Sequence, residues 1–228
     1  MTPLEPPEPP GPPGDRPLMD ELVLLCNSPG PKWLNSSPTV FERMIAGAVL
    51  ADLLLTGAIT IEDRWITGFN PFGARDGAGE AVLGRLSRVR KGRRSKLDSA
   101  VRWIPPRETA RYYQDRLVAQ GVMTVEHRRL LLRPYRALLP VRASAAQEIT
   151  DRIVASLERT GAGSAGPGER DLQLAGLLWA GSHDVRLRPW RERAAFREAT
   201  RRAARDLPIA QAVRRVIDAD RSAGNGGS

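Results

Sequence analysis

At 228 residues, 41% of them hydrophobic and 27% charged, the chain can build one domain with a real core, or two small ones. Lysine plus arginine number 35 against 26 acids, a formal +9, and all of these cations except Lys32, Lys91 and Lys96 are arginine. Cys26 is the single cysteine, which excludes a disulfide framework or a multi-cysteine metal site, and the only two histidines, His127 and His183, lie far apart in sequence, so zinc chemistry has little to work with.

Residues 1–17 hold 8 of the 19 prolines and few apolar side chains, so they are expected to form a disordered or polyproline II tail. The first residues lack the basic start and apolar run of a secretory signal. Leu18 to Cys26 reads as a short amphipathic helix. Thr39 to Leu55 is the strongest helical element, and its stretch Met44–Leu55 is apolar on nearly every side, as a central helix surrounded by others would be. Those 12 residues, interrupted by Asp52, are too few to span a bilayer. Gly57 closes the helix and Ala58–Glu62 alternates like a strand. The phrase recurs: Arg107 to Gln120 reads as a helix, Gly121 ends it, and Val122–Glu126 alternates. Glycine at the position just past a helix, followed by a strand, accounts for both copies without duplication. Further on, Ile149, Ile153 and Leu157 form one stripe, residues 161–168 a loop and Leu172 to Ala180 a compact apolar helix. Segments 190–205 and 208–220 alternate arginine with alanine, valine and isoleucine. The expectation is a mainly α fold. A central hydrophobic helix sits among amphipathic ones with short β-hairpin elements, in a single domain over 18–220, between the 1–17 tail and an unordered 221–228 tail.

Catalytic signatures fail one by one. Gly73, Gly77 and Gly79 fit neither phosphate-loop spacing. Gly163-Ser164-Ala165-Gly166 places its first glycine against the serine and follows no strand, so it is a loop rather than a nucleophile elbow. Ser182-His183-Asp184 are sequence neighbours, whereas a triad is assembled by geometry, and a turn capped by Ser182 or Asp184 is expected. His127 reads as a surface residue and Cys26 as a small buried hydrophobe. No enzyme activity, metal site or cofactor is expected. Charge is more informative: Arg85, Arg88, Arg90, Lys91, Arg93, Arg94 and Lys96 fall within twelve residues that contain no acid. The segment precedes the Arg107 helix and reads as a loop, and its unbalanced sign points to an anionic partner.

From Leu18-Met-Asp-Glu-Leu-Val-Leu-Leu25 onward the chain resembles the Golgi phosphoprotein 3 family. The likeness continues through Ile45–Ile61, Arg116–Thr124, the Asp171–Ala180 helix and Pro208–Ile217, covering roughly 18–220. The resemblance implies a non-enzymatic peripheral membrane adaptor that binds phosphatidylinositol 4-phosphate. It implies a headgroup pocket made of a tryptophan, an arginine before the central helix's glycine, and two arginines on the later helix. On this chain those positions fall at Ser37 with Trp33 nearby, at Ala46 with Arg43 nearby, at Arg107, and at Ala110 with Arg111 beside it. The expected headgroup set is therefore Arg107, Arg111, Trp33 and Arg43, with Arg90, Lys91, Arg93 and Arg94 as a basic membrane-facing cluster. The bias to arginine and alanine looks like that of a homologue from a high-GC bacterium, with the protein cytoplasmic and peripherally held at the membrane.

The family carries a hydrophobic loop that dips into the bilayer just past the second strand signal, where this chain has Leu130, Leu131 and Leu132. Arg128 and Arg129 precede them and Arg133 and Arg136 follow, an arrangement that lets leucines enter the acyl region while arginines stay with phosphates. The other reading of this segment is a buried return strand of a hairpin, its leucines split between two packed faces. For the whole chain the partners expected are an anionic, phosphoinositide-like membrane lipid and a protein cargo, with no transmembrane segment. The alternative is a winged-helix-like regulator that binds nucleic acid, since two helix–glycine–strand phrases and a basic loop would serve it as well.

Overall fold

A computed structural model describes residues 16–27, 38–90, 95–130, 133–161, 168–183 and 192–225. Its helices are α1 (Leu18–Cys26), α2 (Pro38–Leu55), α3 (Gly77–Arg90), α4 (Leu97–Trp103), α5 (Pro106–Ala119), α6 (Ala145–Gly161), α7 (Glu169–Ala180), α8 (Arg193–Arg205) and α9 (Pro208–Asn225). Strands β1 (Ile59–Glu62), β2 (Trp65–Phe69) and β3 (Ser95–Lys96) form one antiparallel sheet in that order. Strands β4 (Met123–Leu130) and β5 (Arg133–Pro140) form a separate hairpin. The fold is mainly α with small β hairpins, as the patterning implies.

Every residue of α2 from Met44 to Leu53 is buried, Asp52 included. A helix apolar all round must be covered all round, and α1, α4, α5, α7 and α9 all pack on it. At Gly47 the neighbours come close: an added Cβ would sit 2.5 Å from Val213 Cγ2 of α9 and 2.6 Å from Leu177 Cδ2 of α7. The outer helices each bury one stripe: Ile149, Ile153 and Leu157 on α6; Phe196, Thr200 and Ala204 on α8; Ile209, Val213, Val216 and Ile217 on α9.

Both glycine stops work as the sequence suggests. Gly57 and Gly121 have φ of 71° and 68°, the left-handed conformation that a side chain resists. At the second, Gly121 N–H donates to Val118 O at 3.0 Å and Val122 N–H to Leu117 O at 2.9 Å, the paired bonds of a Schellman cap. A Cβ added at either glycine would meet nothing within 4 Å, so backbone conformation alone selects the residue.

The basic segment departs from the loop expectation. Arg85, Arg88 and Arg90 belong to α3, whose Val82, Leu83 and Leu86 face the core, and only the Lys91–Arg94 stretch falls outside the described residues. Asp76 starts that helix: its Oδ1 accepts from Gly79 N–H at 2.8 Å while its own carbonyl accepts from Glu80 N–H. Pro134 lies in β5 opposite Arg129, tolerated because both strands of a two-stranded sheet are edges.

Candidate functional site

Pro105-Pro106 sets the start of α5, with Pro106 in the first turn where its missing N–H costs nothing. Arg107 and Arg111 follow one turn apart and project outward, their side chains 88% and 77% exposed. Arg107 Nε lies 3.4 Å from Glu42 Oε1 of α2, and Arg111 Nε 3.5 Å from Asp115 Oδ2. Such exposed pairs are worth little and exchange readily with another anion. The neighbouring positions Ala46 and Ala110 are buried methyl groups.

Arg43 is differently placed. Its Nε donates to Asp220 Oδ2 of α9 at 2.9 Å, and its Nη1 to the carbonyls of Val101 and Arg102, 3.4 and 3.2 Å away at the end of α4. Arg102 Nη1 reaches the other oxygen of Asp220 at 3.3 Å. The corner where α2, α4 and α5 meet thus gathers Arg43, Arg102 and Arg107, with Arg43 drawn inward by a carboxylate from the far end of the chain. Asp220 is the member that sequence reasoning missed, since no local pattern links positions 177 apart. Trp33 lies outside the described residues. So do Lys91, Arg93, Arg94, Leu131 and Leu132; for Arg90 and Leu130 only the backbone is described, at the ends of α3 and β4.

The hairpin is paired continuously from Met123↔Pro140 out to Leu130↔Arg133, leaving Leu131 and Leu132 as its connection. Along its described side chains, burial is confined to Met123, Leu138 and Pro140 at the base, and Glu126 and His127 are already exposed. Four arginines, Arg128, Arg129, Arg133 and Arg136, occupy the four register pairs next to that connection. Elsewhere Phe72 is an exposed apolar residue, 93% accessible in the turn after β2, where its N–H is held by Asn70 Oδ1 at 3.1 Å.

The carboxyls that burial pushes upward lie elsewhere, in a buried ionic network around α1. Asp20 receives Arg116 Nη2 at 2.5 Å, and Arg116 Nη1 donates to Asp76 Oδ2 at 2.8 Å. Tyr113 O–H donates to Asp76 Oδ1 at 3.1 Å. Glu21 receives Arg152 Nη2 at 2.6 Å, and Arg152 Nε reaches Asp171 Oδ1 at 2.8 Å. Arg170 extends the chain to Asp52 at 3.5 Å. Burial pushes the Asp20 carboxyl up to about 6 even with Arg116 opposing, and burial likewise raises Asp52 and the Tyr113 phenol. Each carboxylate here is held by arginine, so the network ties helices together rather than offering a base to a substrate.

Ser182 and His183 diverge: Ser182 Oγ accepts from Arg214 Nη1 at 3.0 Å, and buried His183 places Nδ1 2.9 Å from Gly181 O. Among the described residues no cluster of His, Cys, Asp or Glu could hold a metal ion, and no helix is long and apolar enough to cross a membrane.

Of the curated proteins compared, none matches this chain. The family model for Golgi phosphoprotein 3 (GPP34) matches residues 18–219, from the first turn of α1 to within α9. Its span takes in the enclosed central helix, both glycine stops and the arginine-flanked hairpin, and the chain belongs to the Golgi phosphoprotein 3 (GPP34) family.

Proposed function

We propose that this chain is a non-enzymatic peripheral membrane adaptor that binds anionic phospholipid headgroups at a cytoplasmic membrane face. The observation that carries this reading is the hairpin. Its described side chains are buried only at the base, and its pairing runs out to Leu130↔Arg133, so the leucine run falls at the far end between two pairs of arginines. A solvated hairpin end gains nothing from three leucines, whereas an anionic interface accepts both the leucines and the flanking guanidinium groups. Arg107 and Arg111 supply a second cationic face, loosely paired and able to contact a phosphate bidentately, and Arg43 braces the corner beneath them. Trp33 completes the headgroup set, and Arg90, Lys91, Arg93 and Arg94 add attraction over the length of a Debye layer. The arginine face and the hairpin leave α5 from opposite ends, about 20 Å apart. A strand of eight residues spans about 26 Å, enough to bring both to one surface.

Vesicle co-sedimentation tests the proposal, with phosphatidylcholine vesicles alone, with phosphatidylserine, and with phosphatidylinositol 4-phosphate. Leu131→Ser should weaken binding to anionic vesicles roughly 10- to 100-fold, the loss of one buried leucine, with the melting temperature unmoved. Arg107→Ala combined with Arg111→Ala should cost about 30-fold at low salt, most on the phosphoinositide vesicles if a discrete headgroup site is present. Unchanged vesicle binding in all of these variants, or binding to duplex DNA in preference to vesicles, overturns the reading.

A further inference from the structure

Between α3 and the α4–α5 corner runs a groove of about 540 Å³ that the lipid reading does not use. Its floor is apolar, with Val82 on one side and Ile104 and Pro105 on the other, and it is framed by the rings of Trp103 and Tyr112. Tyr112 is one of the few large hydrophobic side chains left exposed among the described residues. The α3 rim is cationic: the Arg85 guanidinium lies 4.5 Å over the Trp103 ring, and Arg88 follows one turn later. Neither arginine has a carboxylate partner among the described residues. An aromatic-walled apolar slot with two arginines on its α3 rim and the single acid Glu108 on its α5 side is the kind of surface that receives a polyproline II strand.

The sequence before Arg16 has the pattern such a strand needs. A polyproline II helix repeats every three residues, and residues 3–14 sort cleanly at that period. One edge is Pro3, Pro6, Pro9 and Pro12; the next is Leu4, Pro7, Pro10 and Pro13; the third is Glu5, Glu8, Gly11 and Gly14. Two apolar edges and one acidic edge complement an apolar slot with an arginine rim. Residues 1–15 contain no cationic side chain to oppose that pairing.

Reach is satisfied as well. Arg16 lines a small cavity beside Gly121 and Val122, at the C-terminal end of α5, and the groove flanks α5 at Glu108 to Tyr112. That separation is about 14–20 Å along the helix axis, while the eight residues from Arg16 back to Glu8 span about 25 Å as polyproline II. The two places are also physically joined: Asp20 in α1 and Asp76, which immediately precedes the groove residue Gly77, hold the same Arg116 side chain. We propose that the N-terminal segment 1–15 docks in cis into the α3/α4–α5 groove, its proline edges on Trp103 and Tyr112 and its Glu5–Glu8 edge on Arg85 and Arg88.

Photo-cross-linking of the full chain tests this directly and does not depend on lipid. Leu4→p-benzoylphenylalanine, irradiated in dilute solution, should give adducts within one chain that map to α3 or to Trp103–Tyr112. Arg85→Glu with Arg88→Glu should lower that yield roughly fivefold, as should Glu5→Arg with Glu8→Arg, which lie before the family-matched residues 18–219. Combining both reversals should restore it. Adducts elsewhere on the chain, adducts only between two chains, or a yield indifferent to the reversals each overturn docking in cis.

Discussion

Removing the cation that α1 and α3 share should be among the most costly single changes in the molecule. Arg116→Met keeps the aliphatic stem but deletes the guanidinium that lies 2.5 Å from Asp20, 2.8 Å from Asp76 and 4.7 Å from the Tyr113 ring centroid. Two carboxylates whose side chains are 4% and 10% exposed then lose the arginine that pairs with both. Breaking a buried pair in this way costs about 3–5 kcal/mol, and a domain of this size loses roughly 2–4 °C in melting temperature per kcal/mol. Urea unfolding followed by circular dichroism should show the deficit in full at pH 8. At pH 5.5 it should shrink, because the orphaned Asp20, already pushed up to about 6 with its partner present, takes up a proton. Adding Asp20→Asn should recover part of the loss, with a coupling of about 1–3 kcal/mol in the double-mutant cycle. A loss below about 1 kcal/mol, or one identical at both pH values, would refute the claim that this network clamps α1 to α5 and α3.

Two further outcomes are expected. Because the folded-state pKa of Asp20 is raised from 3.8 to about 6, folding favours its neutral form; the stability this group contributes is complete below the lower value and declines as pH rises through the upper one. Wild type minus Asp20→Asn, measured by urea unfolding across pH 4 to 7, should therefore fall with rising pH, and a rising difference contradicts the burial argument. Gly47→Ala should destabilise by about 1–3 kcal/mol despite alanine's better helix propensity, since its Cβ would press on Val213 and Leu177 2.5 and 2.6 Å away; a higher melting temperature would show that α2, α7 and α9 are not so closely packed.

What could be read in advance follows from how local each cause is. The enclosed α2, the Gly57 and Gly121 stops and the α6 stripe are set by residues within a few positions of one another, and their patterns are visible in the chain. Helix α3 is hidden because its arginines dominate the composition while, among its described side chains, the buried core face is only Val82, Leu83 and Leu86. Helix α4 is short, and β3 is two residues whose only cause is pairing with Trp65 and Ile66. At the candidate site, the outward placement of Arg107 and Arg111 follows from the Pro105-Pro106 helix start. The inward capture of Arg43 does not, since it depends on Asp220 brought up by the last helix. Asp20 and Glu21 look like ordinary acids in a first helical turn; their burial becomes intelligible only with arginines from α5, α6 and α7 in place.

The same long-range pairing sets the order of events during biosynthesis. All nine residues of α1 are buried in the finished fold, yet they leave the ribosome before any of the helices that cover them. Arg116 follows Asp20 by 96 residues and Arg152 follows Glu21 by 131. At roughly 5–20 residues per second, the second of these arginines arrives about 7–26 s after the carboxylate it neutralises. Throughout that interval α1 can meet α2 and then α5, but the faces it shares with α6 and α7 stay uncovered and the arginines that pair with Glu21 have yet to be made. Closure of the core around α1 therefore waits until α6 has been synthesised.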